Sequence, residues 1–335
     1  MRTMPIISTP QTLNAIQESG FIQEILFNGA PYSTELNPTK FSDSILIYLE
    51  LFELNLDFIT DTKTSGKKIV LYHMGDELGD KDIRAYSECD LIIRNYFIPR
   101  IFHSPELSEK MIWAPNGYKT GVGPRNPNSL LTTQQRPHLA CFLGWLSNVA
   151  SFNGERALFA EAIHASTGGF KKRRRNFWRW LQHYRLLSEN YLTFTRIAPQ
   201  CAPDLYLLGS KGFSAGYNVG LYSAVMENSI FAPCPAGNSP ETIRLYDALE
   251  CGCIPVMMQH DFILANDALA EFGKPPFTLL SSWDEFPSFL QEMKQQLQLN
   301  PQKIQEQQNS CITWWTHYKN KIRQKIASRL ADLTS

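Results

Sequence analysis

Residues 238–256 read Asn-Ser-Pro-Glu-Thr-Ile-Arg-Leu-Tyr-Asp-Ala-Leu-Glu-Cys-Gly-Cys-Ile-Pro-Val, which combines the start and stop signals of a helix with a buried strand directly after it. Ser239 can cap the helix, and Pro240 suits its first position. Gly252 can adopt the left-handed conformation that ends a helix. The stretch therefore predicts a helix that begins at Ser239 and leads into a strand of an α/β sheet.

The amino end of this helix is a candidate anion site, because backbone N–H groups are unpaired there and the helix dipole favours negative charge. Thr242 and Arg244 lie near that end. Glu241 can accept hydrogen bonds from ribose hydroxyl groups, although a glutamate also favours a first turn without any ligand. A surface helix with a solvated Arg244 would have the same spacing. With Ser239, these residues form the predicted donor-binding helix start.

Two parts of the chain resemble a known family. Residues 231–237, Phe-Ala-Pro-Cys-Pro-Ala-Gly, and residues 241–256 resemble the signature of exostosin-like glycosyltransferases, in which a nucleotide-binding helix leads to a strand reading Gly-Cys-Ile-Pro-Val. Residues 69–77, Ile-Val-Leu-Tyr-His-Met-Gly-Asp-Glu, and residues 91–96 resemble the amino-terminal half of the cytoplasmic and ribitol xylosyltransferase-like branches. The chain departs from the family at Ala236, where an Arg is common.

The resemblance implies both a fold and an activity. The fold is α/β of the GT-B type, with two Rossmann-like doubly wound domains facing a cleft and a carboxyl-terminal helix that can cross back to the first domain. The activity is the inverting, metal-independent transfer of a sugar from a nucleotide diphosphate donor, with a UDP-sugar favoured. The acceptor would be a glycan, a polyol phosphate or a lipid-linked molecule, and xylose, glucuronic acid and N-acetylhexosamines remain open as donor sugars.

Composition sets limits that agree with an enzyme of two domains. The chain has 335 residues, 43% of them hydrophobic, and a single core rarely grows beyond about 250 residues. The 32 basic and 32 acidic side chains give zero formal net charge, so no overall field favours nucleic acid or an anionic membrane. Seven cysteines without paired spacing favour reduced thiols in a cytosol.

The predicted location is cytoplasmic, because the first residues lack the apolar run of a signal peptide and nowhere do roughly 18 uncharged apolar residues follow one another. The basic run Lys171–Arg175 could contact a phosphorylated or lipid-linked acceptor. It would then hold the enzyme at the inner face of an anionic membrane. A solvated loop is the other interpretation of that run.

Strands alternate with helices along the chain, as a doubly wound sheet requires. A Pro-containing stretch without clear periodicity, residues 196–203, is the predicted linker. The predicted domains are residues 1–195 on the acceptor side and residues 204–310 on the nucleotide-sugar side, followed by a terminal helix, 311–335. Predicted strands are 67–73, 90–94, 110–114, 139–144, 229–233 and 254–258, and predicted helices are 80–88, 153–166 and 218–228.

Inverting transfer needs a base that takes the proton of the acceptor hydroxyl. Asp76 and Glu77 follow a predicted strand, and ligands of open α/β sheets bind outside the carboxyl ends of strands. They are the candidate catalytic residues, although an acidic pair after a glycine can also form a turn and cap a helix. His73 belongs to the strand itself, and we expect a buried, hydrogen-bonded imidazole there.

The departing diphosphate needs positive charge and N–H donors, since no metal-ligand cluster is evident in the sequence. Arg244 is the first candidate. Arg156, which enters a helix after a glycine-containing loop, is the second, and Arg94 is the third. Each of them could also be an ordinary surface arginine. No cofactor or metal ion is predicted.

Two other classes of protein fit parts of the sequence. Asp80 and Asp82 have the acid-x-acid spacing with which a single-domain, metal-dependent glycosyltransferase holds Mn²⁺ or Mg²⁺. A non-catalytic nucleotide- or sugar-binding protein of the same fold would keep the helix start without the base. The glycine motifs of nicotinamide-binding proteins and of P-loop proteins are missing from the sequence.

Overall fold

The computed structural model describes residues 6–35, 44–146, 151–164, 191–193, 201, 204–210, 218–265, 269 and 274–334. By contacts, the chain falls into two compact units. The first comprises Met1–Pro124, Ala265–Gly273 and Thr316–Ser335, and the second comprises Arg125–Leu264 and Lys274–Trp315.

The first unit contains a six-stranded parallel sheet in the order β2-β1-β3-β4-β5-β6. Its strands are β1 Ile6–Ser8, β2 Thr34–Glu35, β3 Ile45–Glu50, β4 Lys68–His73, β5 Leu91–Arg94 and β6 Met111–Trp113. The helices of the amino-terminal part are α1 Pro10–Ala15, α2 Ser19–Phe27, α3 Leu56–Thr64 and α4 Pro99–Phe102.

The central strands of this sheet are continuous apolar runs, as parallel strands covered on both faces require. All six residues of β3 are buried, and β4 is buried after its first residue. Asn55 begins α3 by accepting a hydrogen bond from the backbone N–H of Phe58 at 3.0 Å. The register pairs Glu50 with His73 and His73 with Arg94. A row of polar side chains therefore lies at the carboxyl edge of the sheet.

The second unit contains a six-stranded sheet in the order β12-β11-β10-β7-β9-β8, parallel except for the β8–β9 pair. Its strands are β7 His138–Gly144, β8 Tyr191–Thr193, β9 Leu205–Ser210, β10 Ser229–Pro233, β11 Ile254–Met258 and β12 Thr278–Leu280. The remaining described helices are α5 Glu155–Ile163, α6 Val219–Glu227, α7 Ile243–Glu250, α8 Asp261–Ala265, α9 Phe286–Leu299 and α10 Pro301–Thr334.

The order of strands in the second sheet defines a topological switch point. From β7 the chain continues to β9 on one side, and β10 then pairs with β7 on its other side. The connections after β7 and β10 therefore leave the sheet in opposite directions, which opens a crevice at the carboxyl ends of these two strands. Open α/β sheets bind their ligands at such points.

The predicted fold class is confirmed as two doubly wound α/β units, and the predicted strands lie within one residue or two of the observed ones. The predicted helix 80–88 is wrong, because only a short 3₁₀ turn, Arg84–Glu88, forms there. The division between units also differs from the predicted linker at 196–203. It falls at Pro124–Arg125, because β7 pairs with β9 and β10 and thus belongs to the second sheet.

The terminal helix α10 is longer than the predicted 311–335 and begins at Pro301. In the second unit, the Gln308 side chain donates to the Gly252 carbonyl at 2.9 Å, and the Trp315 indole donates to Glu250 Oε2 at 2.6 Å. From Thr316 onward the helix belongs to the first unit. In the part of the chain that the structure describes, no helix combines the length and apolar character needed to cross a membrane.

Gly75, directly after β4, generates a test of the first unit. A β-carbon on this residue would overlap the backbone carbonyl of Leu51, which cannot swing aside as a side chain could. We predict that Gly75→Ala lowers the free energy of unfolding by about 2–3 kcal/mol, measured by urea denaturation. Gly20→Ala is the control, because a β-carbon in helix α2 meets ordinary contacts; it should cost nothing or stabilise by less than about 1 kcal/mol. Equal effects would contradict this explanation.

Candidate functional site

The first two residues of helix α5 hold the turn that follows β10. The backbone N–H of Ala236 donates to Glu155 Oε2 at 3.0 Å, and Arg156 Nε donates to the Ala236 carbonyl at 3.2 Å. Arg156 Nη1 also donates to the carbonyl of Trp145, just after β7, at 2.8 Å. The contacts therefore join the segments that leave β7 and β10, at the switch point of the second sheet.

Glu155 is a buried carboxylate that the sequence did not single out. The indole N–H of Trp283 donates to its Oε2 at 3.2 Å, and His260 Nε2 lies 2.8 Å from its Oε1. The partners of Glu155, which are Ala236, His260 and Trp283, are distant from it in sequence, and Glu155 belongs to no recognisable motif. Its place immediately before Arg156, at the start of a helix after the loop 152–154, is the sole sequence signal that could have indicated it.

The predicted helix start at Ser239 is wrong by several residues. Helix α7 begins at Ile243 with Thr242 as its N-cap residue, and the Thr242 side chain makes no capping hydrogen bond. Ser239 instead closes a turn, since its hydroxyl accepts from the Glu241 N–H at 3.2 Å. The backbone N–H of Thr242 donates a hydrogen bond to the Pro240 carbonyl at 2.9 Å. These turn bonds compete with the helix and delay its start.

Arg244 lies in the first turn of α7, near the amino end as predicted. It is buried, with 7% of its surface exposed, so it is not the solvated arginine of the alternative interpretation. One Nη2 N–H donates to the Leu143 carbonyl at the end of β7, and the guanidinium carbon lies 4.2 Å from the centre of the Phe142 ring. Among the described residues, its Nε and Nη1 atoms have no hydrogen-bond partner. A buried guanidinium with unsatisfied donors favours the approach of an anion.

Gly144 and Glu241 are two further features of the surroundings of Arg244. A β-carbon on Gly144 would overlap its Nη2 atom, so the glycine leaves room for the guanidinium. Glu241 is also buried, and the Tyr246 hydroxyl donates to its Oε1 at 3.0 Å. Of the predicted donor-binding residues, the second unit contains Ser239, Glu241, Thr242, Arg244 and Arg156.

The first unit contains Arg94, the remaining predicted donor-binding residue, in an ion pair with Asp76. Arg94 Nη2 lies 2.9 Å from Asp76 Oδ2, and both side chains are almost completely buried. Arg94 also donates to the Tyr86 hydroxyl at 2.7 Å, and His73 Nδ1 lies 2.7 Å from the same hydroxyl. Arg94 is therefore engaged in a polar network at the carboxyl edge of its own sheet.

The two predicted bases differ in their surroundings. Burial alone would raise the pKa of Asp76, but the charge and N–H donors of Arg94, with the Lys81 backbone N–H, lower it below its usual value. A carboxylate held in this way is a weak base. Glu77 is only partly buried and accepts a hydrogen bond from the Tyr96 hydroxyl at 3.2 Å. The geometry thus favours Glu77 of the pair.

His73 is a buried, hydrogen-bonded imidazole, as expected. Burial, followed by the nearby charge of Arg94, lowers the pKa of His73 to about 4. The imidazole is neutral near pH 7 and supports the Tyr86 hydroxyl in the network. It contributes to the structure of this edge rather than to a titration near neutral pH.

The alternative metal site at Asp80 and Asp82 gains no support from the geometry. Both carboxylate oxygens of Asp82 accept from Arg84: Oδ1 lies 3.0 Å from Nε, and Oδ2 lies 2.9 Å from Nε and 2.6 Å from Nη2. Within the described ranges, no group of three or more His, Cys, Asp or Glu residues could hold a metal ion. The basic run Lys171–Arg175 lies outside the described residues.

The two sheets define a doubly wound α/β protein, and comparisons of the sequence identify its relatives. Residues 216–333, which include α7 and β11, match the family model of the RXYLT1 C-terminal domain. The chain is 26% identical to human ribitol-5-phosphate xylosyltransferase 1 over 121 residues, which is 32% of this chain and 26% of the human protein. The resemblance to exostosin-like glycosyltransferases is confirmed over this part of the chain.

A plant protein matches a shorter segment. A probable glucuronosyltransferase from Oryza sativa subsp. japonica is 37% identical over 71 residues, 21% of this chain and 14% of that protein. The chain thus matches about a quarter or less of the length of these curated relatives.

Solved structures with similar folds share little sequence with this chain. HepE from Anabaena, in complex with UDP-glucose, has a TM-score of 0.44 and 11% identity, and the match covers 86% of this chain and 79% of that one. The T4 phage protein BGT, in complex with UDP and Mn²⁺, has a TM-score of 0.42 and 12% identity, with coverage of 98% and 97%. Scores this low say nothing about function.

The different environments of Asp76 and Glu77 predict different effects on stability. Asp76→Asn removes the charge that pairs with buried Arg94 and should lower the free energy of unfolding by about 3 kcal/mol. Glu77→Gln should change it by less than about 0.5 kcal/mol, because its carboxylate is partly solvated. Urea denaturation of the two variants measures the difference. A loss on Glu77→Gln as large as on Asp76→Asn would show that we have assigned the structural role wrongly.

Proposed function

We propose that the protein is a glycosyltransferase that takes its sugar from a nucleotide diphosphate donor, with a UDP-sugar as the favoured class. The observation that carries the proposal is the family match over residues 216–333, since this segment contains the first turn of α7 with its buried Arg244. The relatives named above are a xylosyltransferase and a probable glucuronosyltransferase. UDP-xylose and UDP-glucuronic acid are therefore the first donors to test.

The diphosphate would bind at the switch point of the second sheet. The N–H groups at the start of α7 have no side-chain cap, and the helix dipole favours an anion there. Arg244 adds positive charge and two N–H donor atoms, Nε and Nη1, that have no hydrogen-bond partner in the described part of the chain. Arg156, oriented by two backbone carbonyls, adds a second guanidinium. Such fixed donors stabilise the charge that develops on the leaving diphosphate.

Glu77 is the proposed general base. Its carboxylate would take the proton of the acceptor hydroxyl while the hydroxyl oxygen attacks the anomeric carbon of the sugar. The bond from that carbon to the diphosphate oxygen breaks, and the nucleotide diphosphate leaves with the electron pair. Attack from the side opposite the leaving group inverts the anomeric centre.

The remaining parts of the proposal rest on the sequence and on the relatives. We propose a polyol phosphate or a glycan as the acceptor, and catalysis without a metal ion. Cytoplasmic location and contact of residues 171–175 with a membrane stay predictions.

The test separates binding from transfer. UDP binding is measured by calorimetry, and transfer by UDP release from UDP-xylose or UDP-glucuronic acid with ribitol 5-phosphate as a probe acceptor. We expect Arg156→Lys and Arg244→Lys to raise the Kd for UDP about tenfold, because lysine lacks the planar fork of donors. Glu77→Gln should keep the Kd of the wild type and lose at least about 100-fold in kcat.

The matched control is Asp284→Asn, an exposed carboxylate of the second unit, which should alter neither quantity. Transfer that persists in excess EDTA would support the metal-independent mechanism, and its loss would contradict that part. Wild-type protein that binds no UDP at millimolar concentration, or full turnover by Glu77→Gln, would contradict the proposed function or the proposed base.

A further inference from the structure

Glu155 connects four neighbouring segments at the carboxyl edge of the second sheet. It is the first residue of α5, which follows β7, and its carboxylate contacts Ala236 after β10, His260 after β11 and Trp283 after β12. These four strands are consecutive neighbours in the sheet. A single buried side chain therefore fixes the loops on both sides of the switch point.

Both polar groups of the Ala236 backbone, the N–H and the carbonyl, are hydrogen-bonded to the first turn of α5. Glu155 accepts from the N–H of this residue, and Arg156 donates to its carbonyl. Because Glu155 and Arg156 are adjacent in the first turn of α5, a shift of one moves the other. The direction of the Arg156 guanidinium is thus coupled to the Glu155 carboxylate through the turn at 236–237.

The chemistry of the contacts explains why an oxygen is needed toward Ala236. Both Ala236 and Trp283 present N–H donors to Oε2, so the atom at that position must be an acceptor. The other position faces the imidazole of His260, which can either donate or accept. A glutamine could therefore replace Glu155, with its side-chain carbonyl toward Ala236 and its NH₂ group toward His260. A shorter side chain would lose the hydrogen bond from the Ala236 N–H.

We propose that Glu155 is a positioning residue that holds Arg156 in the direction needed to bind the diphosphate of the donor. This inference rests on the proposed function, because it assigns a role at the same site. Fixing a binding group in advance strengthens binding, since the ligand does not have to order it. Because Glu155 would act through Arg156, its effect should be specific to ligands that contain the diphosphate.

The experiment compares the Kd values of UDP and of uridine, which lacks the phosphates. We expect Glu155→Ala and Glu155→Asp to raise the Kd for UDP about tenfold and to leave the Kd for uridine unchanged within about threefold. Glu155→Gln should retain the wild-type ratio of the two Kd values. Trp283→Phe is the matched control, because it removes another hydrogen bond of the same carboxylate but leaves Ala236 bound. It should lower the melting temperature without changing the ratio.

The outcomes separate this role from a purely structural one. If Glu155→Ala does not fold, Glu155→Asp carries the test with the same expected result. A lower melting temperature with an unchanged ratio of Kd values in both variants would overturn the positioning role while leaving the proposed function intact. An equal change of the ratio in Trp283→Phe would also overturn it. Wild-type protein that binds uridine and UDP equally weakly would contradict the proposed function, and with it this role.

Discussion

The second unit depends on how it accommodates the buried guanidinium of Arg244. Taking such a charge out of water costs free energy unless partners replace the lost hydration. Stacking on Phe142 and a hydrogen bond to the Leu143 carbonyl offset part of that cost, and Gly144 leaves the space that the group needs. The Nε and Nη1 atoms, which no described residue satisfies, are consistent with a site completed by an anionic ligand. A core that needed stability alone would be better served by an apolar side chain.

Buried charge serves different purposes in the two units. In the first unit Arg94 and Asp76 neutralise each other and organise the carboxyl edge of the sheet with Tyr86 and His73. The partly exposed carboxylate of Glu77 lies beside this network and accepts a hydrogen bond from the Tyr96 hydroxyl. In the second unit the first turn of α5 uses Glu155 and Arg156 to fix a backbone turn. We infer that in each unit a buried network supports a functional residue, which is Glu77 in the first unit and Arg156 in the second.

The sequence predicted the elements better than the side-chain roles. The apolar runs of β4 and β11 predicted buried strands, and the predicted helix 218–228 lies within one residue of the observed α6, because these signals are local. The start of α7 was misplaced because Ser239 satisfies turn and helix signals equally well. The pairing of Asp76 with Arg94 and the contacts of Glu155 could not be predicted, since they join residues that the sheet brings together from distant parts of the chain. The boundary between the units was predicted at the wrong place for the same reason, because the pairing of β7 with β9 and β10 joins distant segments.

The most direct measurement is a crystal structure of the protein with UDP. We expect diphosphate oxygens within hydrogen-bond distance, about 3 Å, of the backbone N–H groups at the start of α7 and of the Arg244 or Arg156 guanidinium. A nucleotide bound at another place, with no phosphate at the start of α7 or at either guanidinium group, would contradict the proposed binding site.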